Sequence, residues 1–358
     1  MSHSYDHGGN IFTVARTLGV APEQILDFSA SINPLGMSPL VRKALICSLD
    51  HLVHYPDTSH RELKQALAKL HTLAPAHFTI ANGSTELIYN LPAMLHGTKA
   101  LIISPSFSEY VRALGQHHWE VQHFILSPEQ NFAIDTDKLE HALEGGIDAL
   151  YLCNPGNPNG TLYPQRVIEK VYSLCLAAGT FMILDEAFMD FCEESSAKRM
   201  IVHSDNAIVL RSMTKFFGIP GLRLGYAISN ATLAERLDSM GGPWSVNTLA
   251  LAAGTAALLD AEHNQQSLDV VRQERRALFE QLSQFPQLKL YPANANYLLV
   301  EIREGITSRE LKERLLPQRI LIRDCASFMG LSNRFFRVAV RSGEDNKRLV
   351  ECLGKLLK

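Results

Sequence analysis

Short apolar runs punctuate the middle of the chain: Phe78–Ala81, Ala100–Ile103, Val121–Leu126, Ala149–Cys153, Phe181–Leu184, Ala207–Leu210 and Leu224–Ile228. Between them lie helix-length stretches, among them Glu86–Leu95, Phe107–Gln116, Thr136–Leu143 and Gln165–Ala178. Runs that are apolar at every position, spaced by helices, predict a largely parallel sheet covered on both faces. The pattern changes at Gly241-Gly-Pro243. Beyond Ser245 two long helical stretches reach about Phe285. Strands follow near Tyr297–Ile302, Ile320–Ile322 and Phe335–Val340, and a helix over Glu344–Leu357 closes the chain. The predicted fold class is α/β, with a large, mostly parallel sheet domain at 46–244 and a smaller α+β domain at 245–358. Residues 1–45 read as extended and turn-rich, apart from a helix beginning near Ile11.

Composition narrows this picture without changing it. The chain has 358 residues, 46% hydrophobic and 20% charged, and a net charge of −3. Such usage excludes disorder as the main state, and the charge offers no basic field for nucleic acid. The most apolar stretch, Thr248–Ala261, is shorter than the ~20 residues of a membrane span. The start, Met1-Ser-His-Ser-Tyr-Asp-His7, has neither the cationic region nor the apolar core of a signal peptide. The six cysteines form no Cys-x-x-Cys pair and read as reduced thiols, so a cytoplasmic enzyme is expected, with no metal site, no membrane and no nucleic-acid partner.

Candidate chemistry gathers where predicted strands end, because open α/β sheets bind ligands at their carboxyl edge. The run Arg211-Ser-Met-Thr-Lys215 follows one strand, with Arg223 eight residues on, behind a Pro-Gly turn. Alone, Lys215 would be a solvated lysine. Two nearby hydroxyls, Ser212 and Thr214, together with a guanidinium suit a phosphate monoester, and a desolvated amine suits a carbonyl. Asp185 closes a fully apolar strand, where it can cap a helix or pair with a heterocyclic nitrogen. Asn82-Gly-Ser-Thr85 offers a glycine, hydroxyls and helix-start N–H groups to an anion. Ser104-Pro-Ser-Phe107 sets a ring after another strand, and Tyr151-Leu-Cys-Asn-Pro-Gly-Asn-Pro-Asn-Gly160 reads by composition as a turn.

In this order the motifs Gly-Ser-Thr, Pro-Ser-Phe, Asn-Pro-x-Asn-Pro-x-Gly, Asp-Glu-Ala, Ser-x-Thr-Lys and Gly-Leu-Arg-x-Gly resemble the fold type I pyridoxal-phosphate enzymes, the aspartate aminotransferase group. The resemblance covers nearly the whole chain. Within the group it extends to the histidinol-phosphate aminotransferases and, more fully, to the threonine-phosphate decarboxylases of cobalamin biosynthesis. The second likeness rests on His7-Gly-Gly-Asn-Ile11, Asp27-Phe-Ser-Ala-Ser-Ile-Asn-Pro-Leu-Gly-Met37, Pro243-Trp-Ser-Val-Asn247, Arg319-Ile-Leu-Ile-Arg323 and Arg337-Val-Ala-Val-Arg-Ser342.

The resemblance implies pyridoxal 5'-phosphate as cofactor. Lys215 would carry it covalently and Asp185 would pair with its ring nitrogen. Asn157 would bond the phenolic oxygen, and Phe107 would stack on the ring. Gly83, Ser84, Thr85, Ser212, Thr214 and Arg223 would cradle the phosphate, joined by Tyr55 from the second subunit of a homodimer. Phe188 departs from the group, many of whose members carry a tyrosine there, and leaves Asn157 as the expected donor to the phenolic oxygen. The substrate, a phosphorylated amino acid, would be gripped by His7, Gly8, Ser31, Asn157, Arg323 and Arg337. The N-terminal segment would pack near the smaller domain and this site, with the Gly8-Gly9 N–H groups converging on an anion. The implied reaction is decarboxylation of O-phospho-L-threonine to (R)-1-aminopropan-2-yl phosphate and CO2, with histidinol-phosphate transamination as the alternative.

Overall fold

A computed structural model describes residues 7–357. The first six residues of the N-terminal segment, with most of the stretch read for a signal peptide, lie outside the described residues. Thirteen strands occur among the described residues: β1 Leu26–Asp27, β2 Phe78–Ala81, β3 Lys99–Ser104, β4 Glu120–Ile125, β5 Ala149–Cys153, β6 Phe181–Asp185, β7 Ala207–Ser212, β8 Gly225–Ile228, β9 Leu288–Leu290, β10 Tyr297–Ile302, β11 Ile320–Leu321, β12 Arg323–Asp324 and β13 Phe335–Ala339.

β2 to β8 build one seven-stranded sheet in the order β2-β8-β7-β6-β5-β3-β4. Only β8 runs against the rest, antiparallel to both β7 and β2. Strand periodicity divides the core in two. Leu150, Leu152, Met182, Leu184 and Val209 face one apolar layer. Tyr151, Phe181, Ile183, Ile208 and Leu210 face the other. Each strand is thus buried on both sides, which is why its sequence reads as a continuous apolar run. All but one of the strands point the same way, so the ends of β2, β3, β5, β6 and β7 share an edge. Those are the ends that carry Gly83, Phe107, Asn157, Asp185 and Lys215.

The second sheet, β12-β13-β10-β9, is antiparallel. One face, with Leu298, Val300, Phe336 and Val338, packs on its own helices. The other face presents Tyr297, Leu299 and Phe335 to the core of the large sheet. Helix Thr248–Leu259, placed by sequence in the C-terminal unit, buries Ala253, Gly254 and Ala257 in that same core. An added Cβ at Gly254 would meet the end of the Leu224 side chain at 2.4 Å, so a larger residue there would require that side chain to shift.

The N-terminal segment is more regular than its composition predicts. It holds helices Ile11–Leu18 and Pro39–Cys47, and β1 pairs in parallel with β11. The second helix starts on a recognisable signal, Ser38 accepting from the Val41 N–H at 3.1 Å with Pro39 as the first helical residue. Pairing of β1 with β11 draws the segment across to Arg323 and Arg337. No helix of the described residues is long and apolar enough to cross a membrane.

Candidate active site

A cavity of about 250 Å³ opens where the carboxyl edge of the large sheet meets the small sheet and the N-terminal segment. Lys215 reaches it from the loop after β7. Its Nζ donates to Ser212 Oγ at 3.0 Å, and the Ser212 and Thr214 hydroxyls lie 2.8 Å apart. Burial lowers the lysine to about 8, against the pull of Asp185 in the opposite direction. An amine in that condition is partly neutral near physiological pH, as a nucleophile requires.

Asp185 ends β6 on the same edge. Tyr110 donates its hydroxyl to Asp185 Oδ2, and the Ala187 N–H donates to Oδ1 at 2.9 Å. Burial raises this carboxyl, while the two hydrogen bonds and Lys215 oppose the rise. The carboxylate therefore lacks a full cationic partner in a site that favours one. Tyr110 was not foreseen. It lies on helix Glu109–Gln116 with its ring fully buried, so the pattern reads it as core.

From the small sheet come two buried guanidiniums, Arg323 and Arg337. Arg337 donates through Nη1 to Asn157 Oδ1 and through Nη2 to the Ser29 carbonyl at 3.0 Å, over the Tyr297 ring. Burial lowers its pKa, and its Nε has no hydrogen-bond partner. Tyr297 in turn donates to the Gly156 carbonyl at 2.6 Å, fixing the Asn157 turn. With Oδ1 of Asn157 occupied, its NH2 is the end that can donate to a ligand. Ser31 also lines the cavity with a buried, unpartnered hydroxyl.

His7, Gly8, Ser84, Thr85, Phe107 and Phe188 complete the wall. Gly83, Ser212, Thr214 and Arg223 stand behind it. Gly83 has φ +81°, and an added Cβ would come within 2.7 Å of Arg223 Nη2, so the guanidinium rests where only glycine leaves room. One expectation needs correction. Gly9 does not aim its N–H at the cavity, because that group donates to Ser29 Oγ at 2.8 Å. Tyr55, expected from the second subunit, is 78% exposed, stacks on Trp244 at 4.4 Å and lies outside the cavity of its own chain. Sequence reading also passed over Ser29, Glu109, Cys153 and Phe328. They lie at element ends or on helix faces where no local pattern sets them apart.

Residues 23–353 match the family model described as aminotransferase class I and II. The threonine-phosphate decarboxylase of Salmonella typhimurium is 42% identical over 98% of this chain and 96% of its own length. Among solved structures, the histidinol-phosphate aminotransferase from Clostridium acetobutylicum aligns with TM-score 0.84 and 29% identity. It covers 92% of this chain and 98% of its own. The L-threonine-O-3-phosphate decarboxylase from Porphyromonas gingivalis aligns with TM-score 0.80 and 26% identity over the same shares.

Proposed function

The chain belongs to the aminotransferase class I and II family, and from that premise we propose that it uses pyridoxal 5'-phosphate to decarboxylate O-phospho-L-threonine, releasing CO2 and (R)-1-aminopropan-2-yl phosphate for cobalamin biosynthesis. One observation carries the choice of substrate. A single cavity brings a buried amine and a buried carboxylate together with two buried guanidiniums, Arg323 and Arg337, and the proposed substrate has two anionic ends to fill them.

The residues fit the cofactor on their own chemistry. Ser84 and Thr85 open helix Ser84–Leu95, whose first N–H groups favour an anion, and Ser212, Thr214 and Arg223 add hydroxyls and a guanidinium beside Gly83. Asp185 supplies a carboxylate for a protonated ring nitrogen, and Phe107 a face for the ring. When bound, the cofactor supplies an aldehyde that amines take up and a ring that draws off electrons from the substrate's α-carbon. The protein then has four tasks. Lys215 holds the cofactor and later moves a proton. Asp185 keeps the ring nitrogen cationic. Arg337, with Asn157, orients the substrate carboxylate so that the bond to it is the one weakened. Arg323, His7, Gly8 and Ser31 take the phosphate.

We assign the chain to a homodimer in the cytoplasm. Exposed Leu49, Leu52, Val53, Tyr55 and Trp244 would be covered there, and Tyr55 would meet the partner's cofactor phosphate. Sedimentation showing a fully active monomer would remove Tyr55 from the site. The division into units at 46–244 and 245–358 is likewise part of this reading, with helix Thr248–Leu259 of the smaller unit packed in the core of the larger.

The second reading, histidinol-phosphate transamination, draws support from the Clostridium acetobutylicum structure. The experiment that separates the two feeds each substrate to the holoenzyme and follows CO2 and pyridoxamine phosphate. CO2 from O-phospho-L-threonine with almost no pyridoxamine phosphate supports the decarboxylase. Conversion of histidinol phosphate with 2-oxoglutarate and no CO2 supports the transaminase. In the first case Arg337→Ala should cost roughly 2–5 kcal/mol in kcat/KM, because it removes a charge-assisted partner.

A further inference from the structure

His7 comes from a segment held to the cavity at two points, and one of them has no part in the assignments above. On one side Gly9 is tied to Ser29, and an added Cβ at Gly8 would strike the Ser29 carbonyl at 2.1 Å. On the other side His7 Nε2 lies 2.8 Å from Glu109 Oε1. Glu109 is 7% exposed, a costly place for a carboxylate without compensation. Compensation is present. Arg112 Nη1 lies 3.1 Å from Oε1, and Tyr89 donates its hydroxyl to Oε2 at 2.6 Å. Both oxygens are thus engaged from the protein side, and the carboxylate is a fixed point rather than a mobile surface group.

We propose that Glu109 is a positioning residue for the substrate phosphate: it anchors His7 Nε2 and so fixes the imidazole in the cavity wall on the side assigned to the phosphate group. This rests on the decarboxylase reading and adds to it. The His7 ring sits 5.8 Å from Phe107, whose own side chain lines the cavity, so the latch ends beside the ligand space. Glu109 touches neither ligand in this scheme and acts only through His7.

The test measures binding rather than turnover. Holoenzyme reduced with borohydride, which fixes the cofactor, is titrated calorimetrically with (R)-1-aminopropan-2-yl phosphate and, separately, with L-threonine, which lacks the phosphate. Glu109→Gln and His7→Asn should each weaken the amine phosphate roughly tenfold, and the double variant no more than either alone. Binding of L-threonine should stay within about twofold throughout. Tyr89→Phe, which removes the hydroxyl that holds Glu109 Oε2, should give a smaller loss of the same kind and serves if Glu109→Gln fails to fold. In wild type and Glu109→Gln labelled with 15N-histidine, the His7 ring signals should differ. Additive losses in the double variant, or equal losses for both ligands, would overturn the positioning role. A wild type that binds no amine phosphate and releases no CO2 from O-phospho-L-threonine would overturn the decarboxylase reading itself, and His7's part with it.

Discussion

Asp185 and Glu186 are adjacent carboxylates, 4% and 0% exposed, at the end of the same strand. Alternation turns them to opposite sides. Asp185 enters the cavity, where its partners are a phenol, a backbone N–H and, electrostatically, Lys215. Glu186 enters a cluster around Arg211, a residue with no exposed surface. There Arg211 Nη1 donates to Glu186 at 3.2 Å and Nη2 to Asp190 at 2.7 Å, with Glu193 bonded to the same Nη2. Ser196 and the Ala197 N–H complete the partners of Glu186. Burial acts against the charge of Glu193 too, but Arg211 and His71 outweigh it and hold the group below the ordinary range. In one region the buried guanidinium is matched by three carboxylates of the protein, although its Nε has no hydrogen-bond partner. In the other, Lys215 and Arg337 donate to neutral oxygens and no carboxylate of the described residues is bonded to either. Buried charge marks a ligand site only when the protein leaves it incompletely matched.

The contrast breaks most sharply at Lys215. Lys215→Ala should lower turnover on the order of 10⁴-fold, the upper range for removing a group that moves protons in the reaction, and should abolish borohydride fixation of cofactor. Its thermal midpoint should not fall, since a buried amine costs more than the methyl that replaces it. Retention of a reducible covalent cofactor would remove Lys215 from its role.

The closed cluster should respond in the opposite sense. Arg211→Met leaves three carboxylates facing each other without their guanidinium, and breaking such a buried network costs about 3–5 kcal/mol of stability. Denaturant unfolding measures it, and turnover per folded molecule should hold. Asp185→Asn should instead lose about 10²–10³-fold in turnover, or roughly 3–4 kcal/mol in the barrier, with no fall in stability because a neutral isostere relieves its burial. Comparable losses of stability from both variants would erase the distinction between the two regions.

Much of this was legible because burial on both faces writes itself as an unbroken apolar run. β2, β5 and the helices Thr136–Leu143 and Gln165–Ala178 fall where the pattern put them. Lys215 and Asp185 were legible because each stands where such a run ends. Tyr110, Glu109 and the Arg211 cluster were not. Their partners come from other elements, and each looks locally like an ordinary member of a helix or strand. β9 has three residues, too few for a period to show. Helix Pro39–Cys47 was missed although Ser38-Pro39 announces it, because the neighbouring prolines and glycine suggested only turns.

A pH series sharpens the comparison within the closed cluster. Burial pushes Glu186 up to about 7 although Arg211 opposes it. Its folded-state pKa then lies above the unfolded value near 4.5, so the folded protein binds the extra proton between those values. Its contribution to stability is present below about pH 4.5 and is lost as pH rises through about 7. At 1.36 kcal/mol per unit the loss is roughly 3 kcal/mol. Glu186→Gln should flatten that part of the stability profile and leave kcat within about twofold. An unchanged slope would show that another group in the cluster takes the proton.

The smallest effect belongs to Ser31, and it tests the open region at its least charged point. Its hydroxyl is buried in the cavity wall without a partner, so the free protein gains nothing from it. Ser31→Ala should therefore leave the thermal midpoint unchanged or slightly raised, since an unsatisfied polar atom disappears. If the hydroxyl bonds the substrate's phosphate, the variant should raise KM for O-phospho-L-threonine roughly 10-fold, about 1.4 kcal/mol, at the low end for a hydrogen bond to a charged group. With kcat nearly constant, the loss would lie in binding shared by ground and transition states, as expected of a group remote from the breaking bond. A fall in kcat with KM unchanged would place Ser31 at the reacting carbon instead. A fall in stability would mean that the hydroxyl already has a partner in the folded protein and belongs with the closed network rather than the open one.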